Sequence, residues 1–355
     1  MIDRRTLIAG GLGLAMTPAF VRAEARGSNA IVDAFVAETG FQGVILTARA
    51  GRVGYERAFG MADIAAKRPT TIGTRYAIAS ISKWLTTLTV LRLAEQGKLT
   101  LDASLVSLLP DYRADTGAKV TLAHLLSNTS GIPNGFITAL RADSTLLSQS
   151  LPPADAVKRF CSGDLAFEPG SKFDYAMTNW FVVMAIIERA SGQPYEQAMR
   201  TITLDPLGLS QTSADPLLAT TKSYRTVDPL VEWPDPRNPI TAASGGYLST
   251  AHDLLRAAHA VFDGKFLTPA SLSAMGAVRV PEQDYSLGGR VRTMTIAGQP
   301  VKAAWETGRT AGFRSLLAHR YDTRETVVIL NNTGLSQKAI DLFGDKLFGA
   351  EPRIG

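Results

Sequence analysis

Residues 76–83 read Tyr-Ala-Ile-Ala-Ser-Ile-Ser-Lys. The first four predict a short strand, and Ser80 opens a helix whose apolar residues recur at helical spacing until Gly97 ends it. Ser80 and Lys83 are three residues apart, which puts both side chains on one face of that helix. A serine hydroxyl becomes an effective nucleophile when a base lies within about 2.6–3.2 Å. The stretch therefore predicts a nucleophilic Ser80 with Lys83 as its base.

A second interpretation of this pair is a serine that caps the helix and a lysine that lies in solvent, because such spacing often arises by chance. In favour of catalysis, a helix N-terminus supplies positive potential where an alkoxide or oxyanion would develop. Lys83 must also shed its proton to act as a base, which partial burial favours. Spacing alone leaves both interpretations open, and Ser82 is expected to cap or pack.

Outward from this helix, strand patterns occur towards both ends of the chain and helical patterns between them. A β-hairpin is predicted over residues 43–59, and further strands are predicted between residues 290 and 330. Predicted helices cover residues 30–39, 121–126, 180–190, 251–262 and 336–348. This order predicts an α+β protein in which one sheet is assembled from both chain ends and a mainly helical lobe is inserted in the middle.

The expected lobes are an α/β lobe at about residues 24–95 and 240–355, and a helical lobe at about residues 96–239. Within the helical lobe, residues 215–239 hold many prolines and few periodic apolar residues. We expect an ordered long loop there rather than a regular element.

Residues 1–23 have the pattern of an export signal. Arg4 and Arg5 precede a short apolar run, and a cleavage site is predicted after Ala23. The paired arginines are typical of the twin-arginine route, and an ordinary secretory signal or an N-terminal anchor is the alternative. The run is shorter than the roughly 20 residues that span a bilayer. The prediction is a mature chain of residues 24–355, periplasmic or secreted, without stable membrane insertion.

Composition excludes several classes of protein. The 355 residues carry 45% hydrophobic and 19% charged residues, as expected of a packed globular chain. The net charge of +5 is dispersed along the chain, so no nucleic-acid partner is expected. The single Cys161 cannot form an internal disulfide. His252 and His259 lack carboxylates at zinc-binding spacing, so no metal site is predicted.

Five landmarks in chain order resemble the serine β-lactamase and D-alanyl-D-alanine carboxypeptidase superfamily, specifically its class C branch, which also contains esterases and aminopeptidases. The resemblance covers nearly the whole mature chain. The landmarks are Ala79-Ser-Ile-Ser-Lys83, Thr121-Leu-Ala-His-Leu-Leu-Ser-Asn-Thr-Ser-Gly131, Phe167-Glu-Pro-Gly170 before Phe173-Asp-Tyr175, Asp205-Pro-Leu-Gly-Leu209 and Ala243-Ser-Gly-Gly-Tyr-Leu-Ser-Thr250.

The resemblance implies a β-lactamase/transpeptidase-like fold with an antiparallel sheet, no cofactor and no metal. It implies that Ser80 is acylated, that Lys83 is the base or proton shuttle, and that Tyr175 exchanges protons with Ser80 and the leaving group. The backbone N–H groups of Ser80 and Arg309 would form the oxyanion hole. The third motif, Glu306-Thr307-Gly308, would line the cleft and bind substrate.

Two positions depart from the family's motifs. The second motif is Tyr-x-Asn in the family, whereas Met177 here cannot form the hydrogen bonds of an asparagine. Asn179 could bind substrate in its place if the backbone redirects its side chain.

The third motif begins with Glu306, where the family has Lys or His. An anion there is expected to repel carboxylate-bearing substrates unless Arg309 or Arg314 compensates, or to favour amine-bearing or neutral substrates. The alternative is that Glu306 pairs with a nearby cation and only shapes the cleft.

Together these residues predict an exported, cofactor-free serine hydrolase that cleaves a small ester, amide or peptide through an acyl-Ser80 intermediate. Esterase-like or peptidase-like activity is expected ahead of D-alanyl-D-alanine carboxypeptidase or β-lactamase activity, because of Met177 and Glu306. Transfer of the acyl group to an amine stays open. A further alternative is a non-catalytic binding protein of the same fold. His124 is expected to be structural, since the chain lacks the Gly-x-Ser-x-Gly motif of α/β-hydrolases.

Overall fold

The structure, a computed structural model, describes residues 18–215, 217–218, 221–235 and 237–351. Its strands are β1 (Gly43–Arg49), β2 (Arg52–Phe59), β3 (Met61–Asp63), β4 (Arg68–Pro69), β5 (Tyr76–Ala77), β6 (Tyr224–Val227), β7 (Leu230–Glu232), β8 (Leu248–Ser249), β9 (Val291–Ile296), β10 (Gln299–Thr310), β11 (Phe313–Arg320) and β12 (Glu325–Asn331).

The helices alternate with short 3-10 and π-helical turns, two of which are the π-helical turns Arg200–Leu204 and Ala242–Gly246. The α-helices are α1 (Pro18–Thr39), α2 (Ile81–Glu95), α3 (Leu105–Leu108), α4 (Ala114–Gly117), α5 (Leu122–Leu126), α6 (Gly135–Ala142), α7 (Pro153–Phe160), α8 (Thr178–Ser191), α9 (Tyr195–Met199), α10 (Ala251–Phe262), α11 (Pro269–Gly276) and α12 (Gln337–Leu347).

The main sheet confirms the predicted architecture. Its strands pair in the order β2-β1-β12-β11-β10-β9, and every neighbouring pair is antiparallel. Strands from the two ends of the chain meet where β1 pairs with β12, with Val44 opposite Leu330. Helices α3 to α9 come between the two halves of the sheet in the chain, as the inserted helical lobe requires. The fold is therefore α+β, of the β-lactamase/transpeptidase-like type.

Alternation along the central strands divides the core between the two faces of the sheet. On one face, Trp305 and Leu316 pack with Phe343 of α12 and Val32 of α1. On the other face, Leu317 packs with residues of α2 and α10 in the larger core, which continues into the helical lobe. Helix α2 is buried along most of its length. Helix α2, which follows Ser80, is thus held between the sheet and the helical lobe.

Two sequence-based predictions need correction, and a third falls mostly outside the described residues. The first helix begins at Pro18, not at residue 30, so the predicted start was wrong. Residues 215–239 hold a short hairpin of β6 and β7, so the expectation of a loop without regular structure was also wrong. The predicted export signal falls mostly on residues 1–17, which lie outside the described residues. None of the helices in the described part of the chain has the length and apolarity to cross a membrane.

Candidate active site

Ser80 stands at the N-terminus of α2, where the backbone is strained. Ala79, which precedes it, has a φ of +45°, a left-handed conformation that is uncommon for residues other than glycine. Such strain persists only where the surrounding structure fixes it, and it is frequent at active sites. The half-buried Ser80 side chain makes no capping hydrogen bond to α2. The helix-capping alternative for Ser80 is therefore not what the structure contains.

Lys83 is buried, and its amine has several interaction partners. Its side chain is only 2% exposed, and Nζ donates a hydrogen bond to Ser80 Oγ at 3.2 Å. Nζ also donates to the carbonyl oxygen of Ser244, in the second π-helical turn. The aromatic faces of Tyr175 and Trp180 lie 4.7 and 5.7 Å from Nζ. The nitrogen thus has two oxygen partners and lies near two aromatic faces.

Tyr175 is positioned by backbone contacts between two of the sequence landmarks. The N–H of Asp174 donates to the carbonyl of Asn128 at 2.8 Å, and the N–H of Gly170 donates to that of Thr129 at 2.8 Å. The Tyr175 ring packs edge-on against Tyr285, with centroids 6.1 Å apart. At 38% exposure, Tyr175 keeps one side in solvent. The landmark at residues 121–131 therefore supports the segment that holds Tyr175 near Lys83.

The two residues of the altered second motif have different surroundings. Met177 is partly buried against the core at the start of α8. Asn179 is 1% exposed: its Oδ1 accepts a hydrogen bond from Ser130 Oγ at 2.5 Å, and its Nδ2 donates to Asn128 Oδ1 at 3.2 Å. These bonds tie Asn179 to the loop after α5. They favour a structural role, and its expected part in substrate binding stays a prediction.

Strand β10 passes very close to the backbone that precedes Ser80. A Cβ on Gly308 would overlap the carbonyl oxygen of Ile78 and the hydroxyl of Ser315, which itself donates to that carbonyl at 3.0 Å. Only glycine permits this approach. It brings the end of β10, with half-buried Thr307 and exposed Arg309, beside Ser80. In the described part of the chain, the N–H of Ser80 has no acceptor, as an oxyanion donor requires.

Glu306, the first residue of the third motif, is buried. The residue is 5% exposed, and its carboxyl packs against the α-carbon of Gly289. Burial raises the pKa of Glu306 to about 8, with Arg290 acting in the opposite direction. The carboxyl is therefore mostly uncharged at neutral pH. The expected effect of Glu306 on substrate preference stays a prediction.

Arg309 and Arg314 lie directly opposite each other on β10 and β11. Arg314 is buried, and its guanidinium donates to the carbonyls of Ala311 and Phe313 at 2.9 and 2.6 Å, while its Nε has no partner. Burial lowers the pKa of Arg314, and the charge of Arg309 lowers it further. Neither arginine forms an ion pair with Glu306 or with another carboxylate among the described residues. The prediction that Arg309 or Arg314 offsets a negative charge on Glu306 stays untested.

His124 and Trp305 have structural roles. His124 forms a capping box with Thr121 at the start of α5, each side chain accepting from the other's backbone N–H at 3.2 Å. Trp305 is buried in the core, where its Nε1 donates to Asp341 at 3.2 Å. Neither residue contacts Ser80 or Lys83 in these interactions.

Several neighbours of the site were not found from the sequence. Ser244 and Trp180 hold Lys83, and Tyr285 packs on Tyr175. Ser244 belongs to the fifth landmark, which could have indicated its role, whereas no motif marks Tyr285. As for metals, His, Cys, Asp and Glu residues form no cluster of three or more suited to a metal ion in the described ranges.

Comparison with known proteins gives a family match over most of the chain. The Beta-lactamase family model matches residues 29–344. Esterase EstB of Burkholderia gladioli is 36% identical over 177 residues, which is 47% of this chain and 45% of EstB. Penicillin-binding protein 4* of Bacillus subtilis (strain 168) is 27% identical over 321 residues, or 82% of this chain and 68% of that protein. The match to EstB thus spans less than half the length of that relative.

Solved structures show the same fold. EstCE1, described as a hydrolase with promiscuous acyltransferase activity, superposes with a TM-score of 0.77 at 23% identity, covering 93% of this chain and 100% of that one. The octameric penicillin-binding protein homologue from Pyrococcus abyssi has a TM-score of 0.77 at 24% identity, covering 91% and 77% of the two chains. At these identities the likeness extends to the architecture alone.

Proposed function

This chain belongs to the Beta-lactamase family, whose members similar to it include an esterase and a penicillin-binding protein, and on that premise we propose that it cleaves an ester or amide through an acyl-Ser80 intermediate. The observation that carries the proposal is the 3.2 Å hydrogen bond between Lys83 Nζ and Ser80 Oγ, made by a lysine that is almost completely buried. A nucleophile and a base at this distance are the common requirement of covalent acyl transfer.

In the proposed acylation step, Ser80 Oγ bonds to the substrate's carbonyl carbon while its proton passes to the uncharged amine of Lys83. The carbonyl oxygen becomes an oxyanion that accepts hydrogen bonds from the N–H groups of Ser80 and Arg309. Collapse of this intermediate breaks the bond to the leaving group. The leaving group takes the proton from Lys83, directly or by way of Tyr175, whose ring lies over Nζ.

In the proposed deacylation step, water attacks the carbonyl carbon of the acyl-serine. One proton of that water passes to the Lys83–Tyr175 pair, and Ser80 regains a proton as the acid product leaves. If an amine or alcohol takes the place of water, the same steps give acyl transfer. The exposed side of Tyr175 is the side from which either acceptor would reach the acyl group.

Intact-mass spectrometry after brief exposure to p-nitrophenyl butyrate tests the acyl-enzyme directly. We expect the wild-type protein to gain one butyryl group and Ser80→Ala to gain none, and peptide mapping should place the group on Ser80. Ser82→Ala is the matched control, because Ser82 Oγ is buried and accepts the Tyr247 N–H instead of facing the site. Equal labelling of wild type and Ser80→Ala would refute the proposal.

Penicillin binding is the second candidate activity. Penicillin-binding protein 4* aligns with a larger share of this chain than EstB does. A fluorescent penicillin that labels Ser80 would favour this candidate. Acylation by the butyrate ester without penicillin labelling would favour the esterase. Absence of both adducts would favour a binding protein without turnover.

A further inference from the structure

A segment of residues 233–244, described except for residue 236, connects the end of β10 with the proposed base. Its first N–H donates to the carbonyl of Ser223 at 2.8 Å. Ser223 Oγ in turn accepts the N–H of Gly312, in the turn between β10 and β11, at 3.1 Å. At the other end of the segment, the carbonyl of Ser244 accepts the hydrogen bond from Lys83 Nζ. The segment therefore runs from the end of the sheet to the helix that carries the proposed base.

Asn238 attaches the middle of this segment to the helical lobe. Its side chain is buried, and Nδ2 donates to the carbonyl oxygens of Leu147 and Gln149 at 2.8 and 2.7 Å. Its Oδ1 accepts the N–H of Ile240 at 2.9 Å. With attachments to the sheet, to the helical lobe and to α2, the segment forms a wall where the two lobes meet.

Asp235 lies in this segment, with its carboxylate attached to the last residue of β10. Thr310 Oγ1 donates to Asp235 Oδ1 at 2.7 Å. Thr310 directly follows Arg309, whose N–H is the proposed second oxyanion donor. Asp235 is half-buried, and its Oδ2 has no hydrogen bond in the described structure. The carboxylate is thus held in place by one oxygen, while the other can accept a further hydrogen bond.

Arg237 is a cation near Asp235, but the two form no ion pair in the described part of the chain. The Arg237 guanidinium donates to the carbonyls of Asp215 and Leu218 at 3.0 and 2.9 Å. Burial raises the pKa of Asp235, whereas the Thr310 hydrogen bond and the charge of Arg237 lower it. A partly desolvated carboxylate with one hydrogen bond is stabilised by a further charged donor. The surroundings of Asp235 therefore favour a bound cation.

The position of Asp235 indicates which part of a substrate would reach it. At one end of the β10 stretch beside Ser80, the N–H of Trp305 donates to the carbonyl of Arg290 at 2.9 Å. The Arg290 guanidinium lies over the ring of Tyr285, which packs on Tyr175. The leaving group, which receives its proton on the side of Tyr175, is therefore expected towards this end. The acyl group lies on the other side of the carbonyl carbon, towards the end of β10 that holds Asp235.

We propose that Asp235 is a specificity-determining residue, which binds a positively charged group, such as a primary ammonium, on the acyl part of the substrate. The proposal rests on the acyl-Ser80 function and names the substrate class of that same site. The ammonium donates a hydrogen bond to Oδ2, while Oδ1 keeps the one from Thr310. A strand rises by about 3.3 Å per residue, so an acyl chain of a few carbons covers the step from the Arg309 N–H to Thr310.

The test uses pairs of p-nitrophenyl esters that differ in a single group. The β-alanine and 6-aminohexanoate esters carry an ammonium where the butyrate and heptanoate esters, respectively, carry a methyl group. For each pair, the ratio of kcat/KM for the charged ester to that for the neutral ester is measured at neutral pH, after subtraction of the hydrolysis seen with Ser80→Ala. Asp235→Asn keeps an acceptor oxygen for Thr310 but has no charge. We expect it to lower this ratio about tenfold or more in at least one pair, as the loss of a charge-assisted hydrogen bond predicts.

Asp228→Asn is the matched control, because it makes the same change at an exposed position of the hairpin formed by β6 and β7. Its ratio should equal that of wild type in both pairs.

Two results would overturn the inference. One is a ratio that is the same in wild type and Asp235→Asn for both pairs of esters. The other is an equal fall in Asp228→Asn, because the effect would then come from the net charge of the protein and not from the position of Asp235. If wild type and Ser80→Ala hydrolyse all of the esters equally, the acyl-Ser80 function itself fails, and the substrate inference fails with it.

Discussion

Lys83 on α2 and Glu306 on β10 are both ionisable and almost completely buried, yet their surroundings are opposite. Lys83 has Ser80, Ser244 and two aromatic faces as partners. Glu306 has a glycine α-carbon against its carboxyl and no hydrogen bond in the described structure. Burial without partners favours the uncharged form of a group, whereas charge-assisted hydrogen bonds compensate for it. One side of the cleft thus surrounds an ionisable group with partners, and the other leaves one without a hydrogen bond.

The largest effect that tests this difference comes from replacing Lys83. We expect Lys83→Ala to lower kcat/KM by about 10²–10⁴-fold, the usual contribution of a general base. Lys83→Arg should lose about as much, because a guanidinium keeps the charge and cannot give up its proton. Single-turnover acylation of both variants checks this. An active Lys83→Arg would show that Lys83 contributes positive charge and not a proton-accepting amine. Lys83 and Glu306 would then differ in the charge they carry and not in their part in proton transfer.

The next effect concerns the close approach of β10 to the nucleophile. In Gly308→Ala, the new methyl group would overlap the Ile78 carbonyl and the Ser315 hydroxyl, so the strand must shift. We expect a loss of stability of about 1–3 kcal/mol from overpacking. Displacement of the Arg309 N–H should cost a further factor of about 10² in kcat if that group is an oxyanion donor. Denaturant unfolding and steady-state kinetics separate the two effects.

Gly163→Ala is the matched control for this variant, because no atom lies within 4 Å of its Cβ position and its backbone conformation suits alanine. It should be close to wild type in both measurements. A Gly308→Ala protein that loses stability but retains kcat would show that the close approach serves packing, and that the oxyanion is bound elsewhere.

The two sides of the cleft also differ in how far the sequence predicts them. The spacing of Ser80 and Lys83 predicted that their side chains share one face of a helix, and the landmark at residues 121–131 was recognised by its resemblance to the family. The partner of Lys83 at Ser244 lies 161 residues away, so only the fold brings them together. The surroundings of Glu306 could not be predicted for the same reason. Its carboxyl is buried beneath Gly289, which no local pattern records.

The hairpin of β6 and β7 illustrates the same limit in the fold. Its strands are short and joined through Pro229, so they carry little alternation for a sequence pattern to detect. Besides its pairing with Glu232, Tyr224 pairs with Thr333 and packs its backbone against Gly312, at the end of the main sheet. Tertiary contact, not local propensity, makes this segment regular.

The smallest predicted effect comes from restoring the family's second motif near Lys83, whose amine already has hydrogen-bond partners. In Met177→Asn, the new amide would find Lys83 with both oxygen partners in place. Adding a hydrogen bond to a group that is already compensated gives a net gain of only about 0.5–1.5 kcal/mol, and removal of Met177 from the core offsets part of it. We therefore expect kcat/KM to change by no more than about threefold, measured beside wild type at neutral pH. An increase in kcat/KM of about tenfold or more would mean that Lys83 loses one of its resting hydrogen-bond partners during the reaction. The contrast between a fully partnered Lys83 and an unpartnered Glu306 would then hold only for the resting site.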